Sequence, residues 1–412
     1  MLSARTQATI LLTVPFPNEG NSFSPLTPTE WGRFAAWLHA RSLMPESLLA
    51  EPLPALLTEL EDKSIRRERI EALLGRGAAL GLLMDKWSRA GLWVMTRADA
   101  DYPPRLKRRL GGVSPAVLFG CGNRKLLSGG GLAVVGSRKA GPDELAYSRR
   151  LGELAAINGQ SVVSGAARGI DEAAMLGALQ SEGTAVGVLA SDLLRTTTAP
   201  GYRDYITRNN LTFISAVNPE TRFNVGNAMG RNKYIYCLAD AAVVVHSGLK
   251  GGTWSGAMEN LKKGWVPLWV RSVDDREAGN GRLLSEPNAR LLARNIDQVQ
   301  INGLVDPAAS TPYLTGGRGE LRSDASQAVA APPPTPPSPI TPEMSLYELF
   351  LTKVRPLCRN EPCRPDELGQ ALGLQSTQLK IWLDQAVEEG HLTRLNKPVR
   401  YQSGTQGTLF EA

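Results

Sequence analysis

Short apolar runs alternate with helical patterns through the middle of the chain. The first run, Leu132–Val135, is bounded by glycine and is typical of a buried parallel strand. Residues 142–158 then carry apolar side chains at helical spacing, and a second apolar run follows at 161–163. The order strand, helix, strand predicts a βαβ unit, which brings the ends of both strands to the same edge of a sheet.

The same alternation continues toward the C-terminus. Further strand candidates, separated by helical stretches, lie at residues 116–119, 185–189, 211–215, 241–245 and 265–270. Strands that alternate with helices are typical of a parallel sheet covered on both faces. We therefore predict an α/β fold whose core, residues 99–303, is a Rossmann-like, doubly wound parallel sheet.

The segments on either side of this core have different patterns. Residues 1–28 are predicted to be a polar, proline-bearing lead-in, and residues 29–98 a helical domain of the SAM or helix-hairpin-helix kind. Nine prolines between Pro307 and Pro342 predict an extended linker over residues 304–342. Three helical patterns followed by a two-stranded hairpin predict a winged-helix domain at 343–403, and residues 404–412 are predicted to be a free tail.

Charge and cysteine content narrow the possible partners. The chain of 412 residues has a formal net charge of +6 and a pI near 9.2, which favours an anionic partner. Residues 99–140 hold eight Lys or Arg against two Asp, so part of the excess lies just before and at the first glycine turn. Four scattered cysteines are too few for a disulfide framework or a four-cysteine zinc site, and we expect no metal.

The apolar stretches are all too short for a bilayer. The run at residues 8–14 is followed by Pro15 and Pro17, which does not fit a signal peptide or a membrane span. We therefore expect a soluble, cytoplasmic protein without a membrane partner.

Two glycine turns follow the strands of the βαβ unit. In the first, backbone amides and the Ser137 hydroxyl can bind a phosphate, and Arg138 supplies a forked set of donors. The second, residues 164–171, repeats this arrangement with Arg168. Asp171 stands at a helix start, where a helix N-cap is an alternative to ligand contact.

Two later segments complete a predicted phosphate-lined edge. In the first, Arg231 and Lys233 flank Asn232 in a helical stretch. The second is the glycine turn at residues 251–253, which follows a strand and begins a helix. Solvated helix cations are the alternative for the first of these. The candidate phosphate-binding residues are Gly136, Ser137, Arg138, Ser164, Gly165, Arg168, Gly169, Asp171, Arg231, Asn232, Lys233, Gly251, Gly252 and Thr253.

No convincing catalytic pair accompanies these turns. The three histidines, His39, His246 and His391, all lie outside the glycine turns. We therefore predict a non-enzymatic binding protein without a cofactor or catalytic residues. Its contacts to phosphates would weaken steeply with salt and show little sequence preference.

The motifs, in order, resemble those of the DprA/Smf family of DNA-processing proteins. VVGSR, SGAARGID, GRNK and a GGT turn carry the resemblance, and YPPRL and VLFGCG precede them. The resemblance implies a Rossmann-like core, usually dimeric, that binds single-stranded DNA on its basic edge. It also implies that the protein protects single-stranded DNA and helps to load a RecA-type recombinase, in recombination, transformation or defence against foreign DNA.

Some positions depart from that family's pattern. Met175 stands where the family usually has a histidine, and ASDLLRTTTAPGY replaces a glycine segment. GGTWSGAME is similar to the turn of LOG-type phosphoribohydrolases, so the alternative is a nucleotide-binding enzyme or sensor that cleaves an N-glycosidic bond with Glu259. A third interpretation, a pure adaptor, would leave the clustered arginines unexplained.

The predicted tail contains a possible partner motif. Gln406, Leu409 and Phe410 form a QxxLF pattern, which resembles the peptide by which bacterial proteins bind the replication sliding clamp. The sequence therefore adds the clamp to the expected partners.

Overall fold

A computed structural model of the chain describes two stretches. They are residues 2–305 without 18–22, 51 and 276–277, and residues 346–403 without 359–361, 373, 375, 390 and 396–398. The chain divides into two compact units, Met1–Gly316 and Gly317–Ala412. The predicted linker, apart from its first two residues, and the tail with Gln406, Leu409 and Phe410 lie outside the described residues.

The first unit alternates helices and strands. Its helices are α1 Ala4–Thr13, α2 Pro28–Ala40, α3 Ser47–Ala50, α4 Leu53–Leu56, α5 Arg67–Leu74, α6 Gly77–Arg89, α7 Pro104–Leu110, α8 Leu126–Gly129, α9 Pro142–Ile157, α10 Ile170–Gln180, α11 Leu193–Thr197, α12 Pro200–Thr207, α13 Val225–Leu238, α14 Gly252–Lys263, α15 Asn280–Leu284 and α16 Ile301–Val305, with 3-10 turns at Gly111–Val113 and Ile296–Gln298. Its strands are β1 Trp93–Thr96, β2 Val117–Gly122, β3 Leu132–Val135, β4 Val162–Ser164, β5 Ala185–Leu189, β6 Leu211–Ser215, β7 Ala241–Val244, β8 Leu268–Arg271 and β9 Ala289–Leu292.

Nine strands of the described chain form one sheet in the order β1-β2-β6-β5-β4-β3-β7-β8-β9. The pairs from β6 to β9 are parallel, whereas β1 and β2 are antiparallel. The predicted α/β, Rossmann-like fold is therefore confirmed. Strands β4, β5 and β6 follow one another on one side of β3, whereas β7, β8 and β9 follow on its other side. The strand order therefore reverses at β3. Ligands of open α/β sheets bind at such a point.

Both faces of the sheet are buried. In β3, Leu132 and Val134 pack into one hydrophobic layer, whereas Ala133 and Val135 pack into the other. Residues of α9 and α10 share the first layer with the N-terminal helices, and residues of α13 and α14 cover the second. This explains why the strand reads as an uninterrupted apolar run, since neither face meets water.

The prediction of a polar lead-in at residues 1–28 needs correction. Helix α1 lies there, with Ser3 as its N-cap, and Ile10 and Leu12 are fully buried in the core. The threonines give the segment a polar pattern. Thr9 is nevertheless buried, because its hydroxyl donates a hydrogen bond to the Arg5 carbonyl at 2.8 Å. The helix therefore packs although its sequence looks weakly amphipathic.

The helical region that follows also shares the core of the sheet. Trp87 of α6 is fully buried and meets Phe119 of β2 edge-to-face, with ring centroids 5.1 Å apart. Strand β1, inside the predicted helical segment 29–98, pairs with β2. The N-terminal helices are therefore continuous with the sheet in one compact unit.

The second unit has the element order that the sequence predicts. Its described residues contain α17 Leu346–Leu357, α18 Pro365–Leu372, α19 Ser376–Glu388 and an antiparallel pair, β10 Leu392–Leu395 with β11 Arg400–Ser403. These elements enclose a separate core that includes Val354 and Leu383. Their assignment as a winged helix stays a prediction. No helix in the described parts of either unit is long and apolar enough to cross a membrane.

Candidate functional site

A cavity of about 340 Å³ opens where β3 and β7 end. It lies at the point where the strand order reverses, and the loops after both strands contribute to its wall. Its lining comprises Val135, Gly136, Ser137, Arg138, Ala167, Asp171, Phe223, Val225, Ala228, Met229, Arg231, Asn232, Tyr236, Gly248, Lys250, Gly251, Gly252 and Thr253. We call this the first cavity.

Hydrogen bonds join the turns that form its floor. The Thr253 hydroxyl donates to the Gly136 carbonyl at 3.0 Å, and the Asn232 amide donates to the Gly252 carbonyl at 2.9 Å. The Ser137 backbone amide donates to the His246 carbonyl at 3.0 Å. The turns after β3 and β7 and the side of α13 are therefore fixed relative to one another before any ligand binds.

Asp171 connects the two glycine turns of the βαβ unit. Its carboxylate accepts from the Gly136 amide at 3.3 Å and from the Gly165 amide at 3.1 Å. It does not cap α10, where Gly169 occupies the N-cap position without a side-chain hydrogen bond. Burial raises the pKa of Asp171, and the opposing effects come from Arg231 and the two amides. Asp171 thus holds the backbone of the site instead of capping the helix, and ligand contact by its carboxylate stays a prediction.

Arg231 is the buried cation of the site. Its guanidinium donates to the Val188 carbonyl, while its Nε has no hydrogen-bond partner in the described chain. Burial lowers its pKa, and the charge of Asp171 opposes that effect. A Cβ on Gly165 would lie 2.1 Å from Arg231 Nη1 and 2.5 Å from Asp171 Oδ2, so only glycine fits between the two.

An exposed segment forms the outer wall. Asn224 caps α13 by accepting from the Asn227 amide at 2.7 Å, which places Phe223 just before the helix and Val225 at its start. The exposed fractions are 50% for Phe223, 64% for Val225 and 45% for Met229. The Arg138 guanidinium carbon lies 4.9 Å from the centroid of the Phe223 ring. An apolar rim therefore borders the polar floor.

A second cavity of about 540 Å³ lies on the other side of Arg138. It is lined by Arg138, Lys139, Ala140, Leu145, Ala146, Arg149, Arg168, Gly169, Glu172, Ala173 and Leu176. Arg138 is common to both cavities and marks the boundary between them.

The predicted phosphate-binding residues divide among these places. The first cavity is lined by nine of them: Gly136, Ser137, Arg138, Asp171, Arg231, Asn232, Gly251, Gly252 and Thr253. Arg168 and Gly169 line the second cavity. Ser164, Gly165 and Lys233 line neither. Ser164 is buried and donates to the Val134 carbonyl at 2.6 Å, and Lys233 lies over the Tyr234 ring.

Sequence reasoning missed the apolar rim and Lys250. The rim residues lie in RFNVGNAMG, where isolated apolar residues alternate with asparagine and glycine. Phe223 precedes α13, and Val225 and Met229 lie in its first two turns, where their side chains are exposed. The candidates that the sequence offers next to this segment are Arg231, Asn232 and Lys233.

Glu259, the candidate catalytic residue of the alternative enzyme, is in the third turn of α14. It is half-buried and does not line the first cavity. Asp171 is the only carboxylate among the lining residues of that cavity, and backbone amides engage both of its oxygens.

A protein-family model matches the part of the chain that forms the sheet and the first cavity. The family model for DNA recombination-mediator protein A matches residues 93–302, just over half of the 412 residues. The chain belongs to this family. The matched range contains the sheet and every residue that lines the first cavity.

Relatives of this DprA/Smf-family chain are distant. The putative DNA processing protein DprA of Mycobacterium tuberculosis is 31% identical over 227 residues, 53% of this chain and 57% of that protein. Protein Smf of Escherichia coli is 32% identical over 172 residues, 40% of this chain and 45% of that protein. The chain thus spans about half the length of these curated relatives.

A solved structure supports the fold assignment. DNA processing protein A (DprA) from Streptococcus pneumoniae has a TM-score of 0.52 and 18% identity, covering 65% of this chain and 95% of that one. At this identity the likeness concerns the fold alone. The fold and the family assignment of this DprA/Smf-family chain therefore come from separate observations.

Proposed function

We propose that the first cavity binds single-stranded DNA, with backbone phosphates on its floor and bases on its rim. The observation that carries this proposal is the apolar rim of Phe223, Val225 and Met229 beside a floor of glycine amides and buried cationic charge. A site for a phosphate alone would not need exposed apolar side chains next to it.

The floor suits an anion for two reasons. Helix α14 begins at Gly252, so the turn of Gly251, Gly252 and Thr253 presents backbone amides and the positive end of the helix dipole. Arg231 adds a buried guanidinium whose Nε lacks a partner in the described chain. A phosphate bound here would meet donors that are already positioned.

The rim favours a single strand over a duplex. Bases in a duplex are stacked and paired, whereas an unpaired base can place its ring against an aromatic or apolar side chain. Arg138 covers one face of Phe223, so a base on the opposite face would complete a stack of cation, ring and base. Stacking of this kind tolerates any base, which fits a processing protein without sequence preference.

The position of Glu259 supports binding without cleavage. A nucleotide hydrolase of the LOG type would need a carboxylate that faces the bound nucleotide, and Glu259 does not line the cavity. Asp171 is held by two backbone amides and is poorly placed to act as a general base. We therefore infer a non-enzymatic role, with nucleotide cleavage as the alternative.

The partners follow from the family and remain part of the proposal. The family description, a DNA recombination mediator, supports transfer of the bound strand to a RecA-type recombinase. We retain a homodimeric core, a winged-helix assignment for the second unit, and clamp binding by Gln406, Leu409 and Phe410 as predictions.

Phe223→Ala tests the proposal. We expect wild-type protein to bind a labelled single-stranded oligonucleotide more tightly than an abasic strand of equal length, as measured by fluorescence anisotropy. The substitution should weaken binding of the base-bearing strand by about 1–3 kcal/mol, the usual contribution of one stacked base. It should leave the abasic strand unaffected.

Leu82→Ala is the matched control, because Leu82 is a 78% exposed apolar residue of α6 that does not line the cavity. Equal wild-type affinity for abasic and base-bearing strands would contradict the proposal. Tight binding and release of a cleaved base from a mononucleotide would instead establish the enzyme alternative.

A further inference from the structure

We propose that the second cavity is a separate backbone-binding subsite, which takes the phosphates of the same DNA strand after it passes over Arg138. This inference rests on the proposed function, because it concerns the path of a strand already bound in the first cavity. The ligand class is the sugar–phosphate backbone, with the bases turned away from this cavity.

The fold brings the cations of this cavity together. Gly169 has a φ of +99°, and a Cβ there would lie 2.6 Å from the Ser137 carbonyl oxygen and 3.1 Å from Arg138 Cα. The loop after β4 therefore lies directly against the loop after β3. This contact places Arg168 beside Arg138, on two chain segments far apart in the sequence.

Four cations face one carboxylate in this cavity. Arg138 and Lys139 come from the loop after β3, Arg149 from α9 and Arg168 from the loop after β4, and Glu172 of α10 is the single acidic residue. All four cations are exposed, and none is in a salt bridge within the described residues. The lining therefore carries an excess of positive charge, which favours an anionic ligand.

Existing contacts leave this charge available. The Arg149 guanidinium donates to the Gln180 side chain, a neutral partner, and Glu172 accepts from the Tyr202 hydroxyl at 3.1 Å. Arg150, one residue from Arg149, is paired with Glu153 at 2.9 Å and does not line the cavity. The two neighbouring arginines of α9 thus differ: Arg150 forms a surface salt bridge with Glu153, whereas Arg149 lines the cavity.

A polyanion fits this cavity better than bases do. Unlike the first cavity, it has no aromatic side chain in its lining. Exposed guanidinium and ammonium groups contact phosphates mainly through charge, which tolerates a flexible strand. Arg138 lines both cavities, so a strand that passes over it can occupy both.

Lys139→Gln with Arg149→Gln tests the inference through strand length. We would measure anisotropy over a salt series with an oligothymidylate of about four nucleotides and one of about sixteen, the range of single-strand site sizes. For the longer strand we expect affinity to fall about 25-fold at 0.1 M salt, since each lost contact lowers the log–log salt slope by about 0.7. The short strand, held by the first cavity, should be unaffected.

Two further variants keep the test decisive. Arg150→Gln with Lys263→Gln removes the same charge from exposed positions outside both cavities and should leave the length dependence unchanged. Glu172→Gln removes the single carboxylate of the cavity and should tighten binding of the longer strand. Unfolding would weaken DNA binding, so tighter binding by Glu172→Gln could not be explained by a loss of folding.

The possible failures are distinguishable. Equal loss with short and long strands, or no loss, would overturn the second subsite while leaving the proposed function intact. Absence of any oligonucleotide binding by the wild type would refute the proposed function itself. A change of molecular mass in light scattering, without a change in DNA binding, would mean that the cavity contacts another copy of the chain and would also overturn the subsite.

Discussion

The two cavities share Arg138 but are built differently. The first cavity rests on buried groups: Asp171 bonds to two glycine amides, and Arg231 bonds to a strand carbonyl. The cations of the second cavity are exposed and held by few contacts. The first cavity is therefore built on buried groups that the fold fixes, whereas the polar lining of the second consists mainly of exposed cationic side chains.

This difference has consequences for energy and for binding. Buried charges are costly to leave unpaired, so a change to Asp171 or Arg231 should act on folding as well as on ligand affinity. Exposed charges contribute little to stability and are screened by salt. We expect affinity in the first cavity to depend on shape and stacking, and affinity in the second to depend on ionic strength.

Asp171→Asn should have the largest effect on this comparison. The substitution removes the negative charge that faces Arg231. It also replaces one acceptor oxygen by an NH2 group, so one of the two backbone amides loses its hydrogen-bond acceptor. We expect the free energy of unfolding to fall by about 3 kcal/mol, the lower end for breaking a buried charged interaction. Urea denaturation followed by circular dichroism would measure it.

Arg168→Gln is the matched variant from the second cavity. Because Arg168 is exposed, the unfolding free energy of the variant should stay within about 0.5 kcal/mol of the wild-type value. If both substitutions destabilised the protein equally, the distinction between a buried and an exposed half of the edge would be wrong.

Arg138→Gln should have a smaller effect, on binding alone. Because Arg138 lines both cavities and is exposed, its loss should weaken binding of long and short strands by about fourfold at physiological salt, with unchanged stability. Anisotropy titrations alongside the urea midpoint would check this. A loss confined to the longer strand would mean that Arg138 belongs to the second cavity only.

The parts of the fold that were predictable are those with one strong local pattern. Residues 132–135, 185–189 and 211–215 are apolar throughout because both faces of the sheet are covered, and the predicted bounds match β3, β5 and β6. Strand β9 and helix α1 were missed. In β9, Leu291 is 64% exposed and Arg290 lies over Trp269, a mixed pattern at the sheet edge that resembles a loop.

The candidate site was predictable in position but not in role. Glycine turns after adjacent parallel strands have to meet at one edge, so their residues could be named from the sequence. Which side chains face the cavity depends on packing across the sheet. The sequence contains nothing that tells the buried Arg231 from the exposed Arg138, or that brings Phe223 to Arg138 across the two loops.

Photo-crosslinking of a single-stranded oligonucleotide that carries 5-iododeoxyuridine would test the central claim most directly. The full-length protein would be irradiated with the strand bound and digested with trypsin. We predict that the main crosslinked peptide is residues 223–231, which contains Phe223 and Met229. Crosslinks confined to residues 346–403 or to the N-terminal helices, with none on that peptide, would contradict the assignment of the first cavity as the DNA site.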